Sequence, residues 1–178
     1  MSYGAQMLTL SLFRHAKSSW DDPDLKDFNR PLAPRGEAAA PRMGAFMAEH
    51  DVQPELILCS PAVRTRQTLD LVLPYLKSDP RVVYQDGFYL APASQLLARV
   101  RKIEAKVRHV MIVGHDPGMH GLSIELAGCG APKLMQALAA KFPTAGLAVL
   151  DFDVDEWGKV GPGLGQLRMF MMPKRLPD

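Results

Sequence analysis

The chain has 178 residues, 47% of them apolar and 22% charged, so a single domain with its own hydrophobic core is expected and wholesale disorder is excluded. With 21 Lys and Arg against 19 Asp and Glu, the net charge is only +2, too little for a strongly basic nucleic-acid binder or an acidic tail protein. No stretch approaches the roughly 20 apolar residues of a membrane span, and residues 1–6 lack the basic start and apolar run of a signal peptide; the expected location is the cytoplasm, with no membrane or nucleic-acid partner.

In chain order, Leu8–Phe13 reads as a first strand, ended by Arg14 and His15. Residues 16–34 are polar and punctuated by proline, and a loop of that length is usually functional or mobile. Gly36–His50 carries Met43, Phe46 and Met47 at helical spacing, with Pro41 predicting a bend or a late start. Leu56–Cys59 is a second strand, ended by Ser60-Pro61, and a helix over Val63–Leu73 follows. Val82–Tyr84 is a short third strand. Ser94–Val107 predicts a helix with Leu97, Val100, Ile103 and Val107 on one face and a solvated basic face opposite. Val110–Val113 is a fourth strand, ended by Gly114-His115, with a helix over Gly118–Leu126 behind it. Gly146–Phe152 and Leu167–Met171 are two late strands. Strands alternating with helices predict a three-layer α/β/α fold with a central, mostly parallel sheet. The two cysteines, Cys59 and Cys129, lack metal or redox spacing and read as buried thiols in a reducing compartment.

Three of these strands end in residues suited to phosphate. The first gives Arg14 and His15, the second Ser60 and, one helical turn on, Arg64, and the fourth Gly114 and His115. In a parallel α/β sheet the C-terminal strand ends share one edge, where ligands bind. Two arginines and two histidines are therefore expected to converge there, helped by the helix N-termini after Ser60 and Asp116. Arginine offers permanently charged forked donors, and histidine serves as nucleophile or donor.

The ordered set resembles the histidine phosphatase superfamily. Arg14-His15-Ala16 is similar to its Arg-His-Gly, Ser60 through Thr68 to its Ser-x-x-x-Arg-x-x-x-Thr, and Gly114-His115 to its late Gly-His. Arg30-Pro31-Leu32 with Arg35-Gly36 resembles the small SixA-type phosphohistidine phosphatase branch. The resemblance covers roughly residues 8–172 and implies a phosphoglycerate mutase-like fold over a domain spanning 1–178. It implies that His15 is phosphorylated and then hydrolysed, that Arg14 and Arg64 hold the phosphoryl oxygens, and that His115 donates to them, best when protonated. No metal or cofactor is expected, because the cations are side chains.

The chain departs from the pattern at Ala16, where glycine is usual, and at Lys17 and Asp21. Arg30 and Asp21 are candidates for substrate contact or for an ion pair within the loop. Ser60 reads as a helix cap, and Asp116-Pro117 as a turn and helix start. The acid that protonates an alkoxide leaving group in ester-cleaving relatives has no clear counterpart. Asp86 is nearest in sequence, with Asp21, Asp22 and Asp116 as other candidates. An alkoxide needs that proton from the enzyme, whereas a phosphoramidate leaves once its nitrogen is protonated, often from solvent. The expected substrate is therefore phosphohistidine, including one borne by a protein, or a related phosphoramidate. The alternatives are a phosphomonoesterase acting on a sugar or nucleotide phosphate, and a non-catalytic phosphate-recognition module. A metal site at His115, Asp116 and His120 is disfavoured, since the histidines are five residues apart rather than three or four.

Overall fold

The computed structural model describes residues 7–178; the expectation for residues 1–6 lies outside the described residues. Seven strands form one sheet in the order β3-β2-β4-β1-β6-β7-β5. They are β1 (Leu8–Arg14), β2 (Leu56–Cys59), β3 (Arg81–Tyr84), β4 (His109–Gly114), β5 (Ala127–Gly130), β6 (Leu147–Phe152) and β7 (Gly165–Met171). β1 pairs in parallel with β4, β4 with β2, and β2 with β3. On its other side β1 pairs antiparallel with β6, which reverses again onto β7, and β5 runs parallel to β7. Only β6 opposes the common direction.

The helices are α1 (Pro34–Glu49), α2 (Val63–Val72), α3 (Ala93–Val100), α4 (Gly118–Leu126) and α5 (Pro132–Ala140). Alternating side chains of the central strands enter two separate cores. Leu10 and Leu12, Leu56 and Leu58, and Val110 and Ile112 pack with Leu97, Leu122 and Leu138 of α3, α4 and α5. Phe13, Ile57, Met111 and Val113 pack with Met43, Met47, Leu69 and Val72 of α1 and α2. A strand buried on both faces needs apolar residues at successive positions, which is why these strands read as continuous runs rather than as alternation. The expected three layers are present.

Four elements differ from expectation. α1 begins at Pro34, in the first turn where proline is tolerated, and continues through Pro41. α3 stops at Val100; Ile103 and Val107 are buried as predicted, but from turns. β5 and α5 have no counterpart in the sequence reading. Cys129, on the edge strand β5, is exposed rather than buried, while Cys59 is buried.

Candidate active site

The parallel register brings the ends of β1, β2 and β4 to one edge. Arg14 lies opposite Gly114, and Cys59 opposite Val113, so the residues that follow them emerge side by side. The backbone N–H groups of both His15 and Ser60 donate to this part of β4, to Gly114 and Val113 respectively. A pocket of about 310 Å³ opens there, and Arg14, His15, Arg64, His115, Arg30 and Asp116 all line it. The two imidazole centroids are 5.4 Å apart. Asp21 and Asp86 are exposed and lie outside that lining.

His15 is 6% exposed, and its Nδ1 lies 2.7 Å from the Ala16 carbonyl oxygen. A carbonyl only accepts, so Nδ1 carries the hydrogen and Nε2 keeps its lone pair. A second restraint acts on the same residue: the Ala16 N–H donates to the Thr68 hydroxyl oxygen (2.9 Å). Thr68 in turn donates to the Arg64 carbonyl at 2.7 Å, tying the β1 end to α2. Burial, joined by His115, Arg64 and Arg14 and opposed by the Ala16 bond, brings the His15 pKa down to about 3. The ring is neutral at pH 7, the state a nucleophile requires.

His115 is also held down to about 3, by burial first and by Arg64 next. Among the protein's own groups it is neutral at pH 7; a dianion within hydrogen-bonding distance would raise its pKa toward the protonated state in which it donates best. Its Nε2 lies 2.7 Å from Ser60 Oγ. Ser60 thus orients His115 instead of capping α2, whose N-cap is Ala62 without a side-chain bond. If the Ser60 hydroxyl donates, Nδ1 of His115 bears the hydrogen and faces no protein acceptor.

Arg14 donates through Nη1 to the Phe142 carbonyl at 2.7 Å and approaches Asp116 at 3.4 Å. Arg64 is 3% exposed and donates to the Asp27 carbonyl at 2.8 Å and to its carboxylate at 3.0 Å. Among the described residues, the buried side-chain nitrogens and oxygens without a partner are three: Nε of Arg14, Nε of Arg64 and Nδ1 of His115. The two guanidinium nitrogens are donors, the imidazole nitrogen is one in the tautomer in which Ser60 donates to Nε2, and all three belong to residues lining this one pocket. Buried polar groups are nearly always paired, so two unpaired guanidinium donors and an unpaired imidazole nitrogen around one pocket form an arrangement that fits an anion.

Asp27 was not singled out in the sequence. It sits in a 3-10 turn (Asp27–Asn29) of the long β1–α1 loop and accepts from Arg64, Arg30 and the Tyr89 hydroxyl. Partial burial pushes its pKa up, but these donors outweigh burial and hold it at about 2. The loop ion pair of Arg30 is therefore with Asp27, at 3.1 Å, and not with Asp21. Arg30 also donates to the Ser19 carbonyl and lies 3.5 Å beneath the centroid of the exposed Trp20 ring. The Asp-x-x-Arg spacing of Asp27 and Arg30 was a readable signal; the partnership with Tyr89 had none. His120 turns away, with Nε2 2.6 Å from the Leu138 carbonyl oxygen.

The model of the histidine phosphatase superfamily (branch 1) matches residues 10–88, which contain His15 and Arg64. The SixA protein of Agrobacterium tumefaciens is 33% identical in sequence, its structure aligning over 93% of this chain and 98% of its own with a TM-score of 0.79. The chain belongs to the histidine phosphatase superfamily. The SixA structure from Nakamurella multipartitia, 28% identical, covers 96% of this chain and 98% of its own with a TM-score of 0.83. A Mycobacterium tuberculosis protein described only as uncharacterized is 32% identical over 163 residues, 90% of this chain and 99% of that one. This superfamily member is thus SixA-like along nearly its whole length. Among its described residues no helix is long and apolar enough to cross a membrane.

Proposed function

We propose that the protein is a metal-independent phosphatase that cleaves phosphorus–nitrogen bonds, with phosphohistidine as its substrate class and His15 as its nucleophile. The observation that carries this reading is the set of unpaired buried nitrogens on Arg14, Arg64 and His115 around the neutral, tautomer-fixed imidazole of His15. In the first step the lone pair of His15 Nε2 attacks phosphorus and forms a P–N bond. The substrate's P–N bond breaks, its electron pair stays on the leaving imidazole nitrogen, and a solvent proton neutralises that nitrogen. In the second step water attacks phosphorus, the His15 P–N bond breaks, and phosphate leaves with the surplus proton passed to solvent. Throughout, Nδ1–H stays on the Ala16 carbonyl. Arg14, Arg64 and His115 donate to the phosphoryl oxygens, where preorganised donors act on charge spread in the transition state. Arg30 holds the pocket wall and faces the substrate body.

The preference for a P–N bond is supported by the carboxylates. Asp21 and Asp86 stand outside the pocket lining, and Asp116, the carboxylate inside it, is engaged by Arg14 and by the His120 N–H. The mouth is flanked by exposed Trp20 and Leu90, which suits a substrate presented on a larger body. The SixA relatives are provisionally described as phosphohistidine phosphatases. Both cysteines are free, which supports a reducing compartment such as the cytoplasm.

Asp116 favours one second reading, a phosphomonoesterase in which this carboxylate protonates the leaving oxygen. Turnover of a phosphohistidine peptide against a sugar phosphate separates the two: clear preference for the sugar phosphate rejects the P–N assignment. Trapping an acid-labile, base-stable phosphoenzyme that is lost in His15→Ala supports the nucleophile. Absence of any adduct and of turnover across both substrates leaves a phosphate-recognition module.

A further inference from the structure

Next to the catalytic pocket lies a larger groove of about 500 Å³, and the two share Lys17 and Thr144 as lining residues. Five cations line the groove: Lys17, Arg35, Lys141, Lys174 and Arg175. All five are exposed, no carboxylate is among the lining residues, and none of the five belongs to an ion pair among the described residues. In a chain with 21 cations and 19 anions this is a local concentration of unspent positive charge, which repels itself unless an anion covers it. The wall between pocket and groove is fixed. The Lys17 carbonyl accepts from the Ala33 N–H at 2.9 Å, and a Cβ on Gly36 would stand 2.2 Å from that same oxygen, so only glycine lets the first turn of α1 close on Lys17.

Two features say what kind of anion fits. The cations come from four separate segments: the β1–α1 loop, the start of α1, the α5–β6 connection and the stretch after β7. A site for one phosphate gathers its donors on a point; here they are distributed along a groove. Between them the surface is apolar, with Ala39, Ala137 and Met172 among the lining residues. A ligand that matches both is a polypeptide with acidic side chains spaced along it and apolar ones between.

We propose that this groove docks an acidic polypeptide segment flanking the phosphorylated residue, so that Lys141, Lys174 and Arg175 select substrates by KM while the catalytic pocket does the chemistry. The proposal rests on the phosphatase reading, and it is tested so that the two fail separately. The probes are two phosphohistidine peptides of equal length, one with Glu and Asp flanks and one with Gln and Asn in their place, together with phosphoramidate as a small substrate that cannot reach the groove. At low salt the wild-type kcat/KM should favour the acidic peptide by about tenfold, in keeping with a few exposed ion pairs, and the advantage should shrink as salt rises. The triple variant Lys141→Ala, Lys174→Ala, Arg175→Ala should lose that advantage through KM, with kcat and phosphoramidate turnover unchanged. Equal wild-type kcat/KM on the two peptides overturns the proposal, as does a triple variant that loses phosphoramidate turnover in the same proportion. Inhibition by a short inorganic polyphosphate matching that by the acidic peptide at equal charge would assign the groove to small anions and overturn it too. Should the wild type turn over none of the substrates, the phosphatase reading fails alone. Fluorescence anisotropy of the unphosphorylated acidic peptide then decides the groove, tighter binding to wild type than to the triple variant supporting it and equal binding overturning it.

Discussion

The sheet divides at β1 into two halves that are packed alike and equipped differently. On one side β4, β2 and β3 run parallel to β1; on the other, β6 runs against it before β7 and β5 return to the common direction. Both halves bury large apolar side chains completely, Ile57 and Ile112 on one side and Leu150 and Phe152 on the other. In the parallel half each of β1, β2 and β4 delivers its C-terminal end to the same edge, where Arg14 and His15, Arg64 in the helix after β2, and His115 line the pocket. β6 meets that edge with its start, so the chain before it contributes the Phe142 carbonyl to Arg14 and Thr144 to the lining, but no cation or imidazole of the anion cradle. Between the two neighbours of β1, strand direction rather than burial or packing decides which one brings a side chain to the cradle: β4 ends at that edge and β6 starts there.

That division predicts a crossed pair of variants. Phe152 is fully buried and pairs with Leu8, at the start of β1, roughly 20 Å of strand from Arg14. Phe152→Ala should cost about 3–5 kcal/mol of unfolding free energy in a denaturant titration, while the specific activity of the folded fraction stays that of the wild type. Arg64→Ala should do the converse: kcat/KM on the phosphohistidine peptide falls by about 10²–10³, and the melting temperature does not fall. Removing Arg64 takes a buried cation away from Arg14 and leaves Asp27 with Arg30 and Tyr89. A Phe152→Ala protein that is folded but inactive, or an Arg64→Ala protein that is active but unstable, breaks the division.

Acid sharpens the comparison within the parallel half, because one edge holds two buried histidines and the other a partly buried one. His15 and His115 at the site edge are depressed to about 3, and His109 at the opposite edge to about 4, burial being the largest cause in each case. Histidines depressed in the fold take up protons on unfolding, so their contribution is present above pH 6.5 and is lost as pH falls toward 4 and then 3. Each adds up to about 1.4 kcal/mol of lost stability per pH unit inside that window. His109 touches no pocket residue; its Nε2 lies 2.8 Å from Ser11 Oγ, a contact glutamine can keep. His109→Gln should therefore retain activity and flatten the fall in urea midpoint between pH 6 and 5. An unchanged slope would mean that His109 does not titrate in this way.

Much of this was legible in the sequence, and the gaps have physical causes. A strand buried on both faces leaves an unbroken apolar run, so β1, β2 and β4 stand out, and the polar residue ending each run marks the site. β5 is Ala-Gly-Cys-Gly, with no β-branched or aromatic residue; its strand state comes from pairing with β7 and not from propensity. α5 does carry a signal, Pro132 in its first turn and Leu134, Met135 and Leu138 at helical spacing. The apolar periodicity of α3 continues through Ile103 and Val107 although the chain has already turned after Val100, so the pattern outruns the helix. At the site, the four cradle residues follow from strand ends. Asp27 and Tyr89 do not, since their partnership spans 62 residues and exists only after the loop has folded over α2.

Asp27 is also where the smallest effect is expected, and where its kind matters more than its size. The carboxylate holds Arg64 from one side, through Nη2 at 3.0 Å, while the Asp27 carbonyl takes Nη1 at 2.8 Å; Nε is left unpartnered. Asp27 thus fixes the plane of the guanidinium without occupying the edge that remains for an anion. Asp27→Asn keeps one acceptor oxygen and the backbone carbonyl but removes the charge. Two consequences oppose each other: Arg64 loses part of its restraint, which weakens transition-state stabilisation, and the pocket gains net positive charge, which favours a dianion in the ground state. The expected result is a kcat about fivefold lower with KM unchanged or lower, and Tyr89→Phe should follow in the same direction by less. If Asp27 were only a structural tie of the loop, the variant would lower the melting temperature and leave the kcat of the folded protein alone. A raised KM at constant kcat would instead make Asp27 a substrate contact and remove it from the positioning of Arg64.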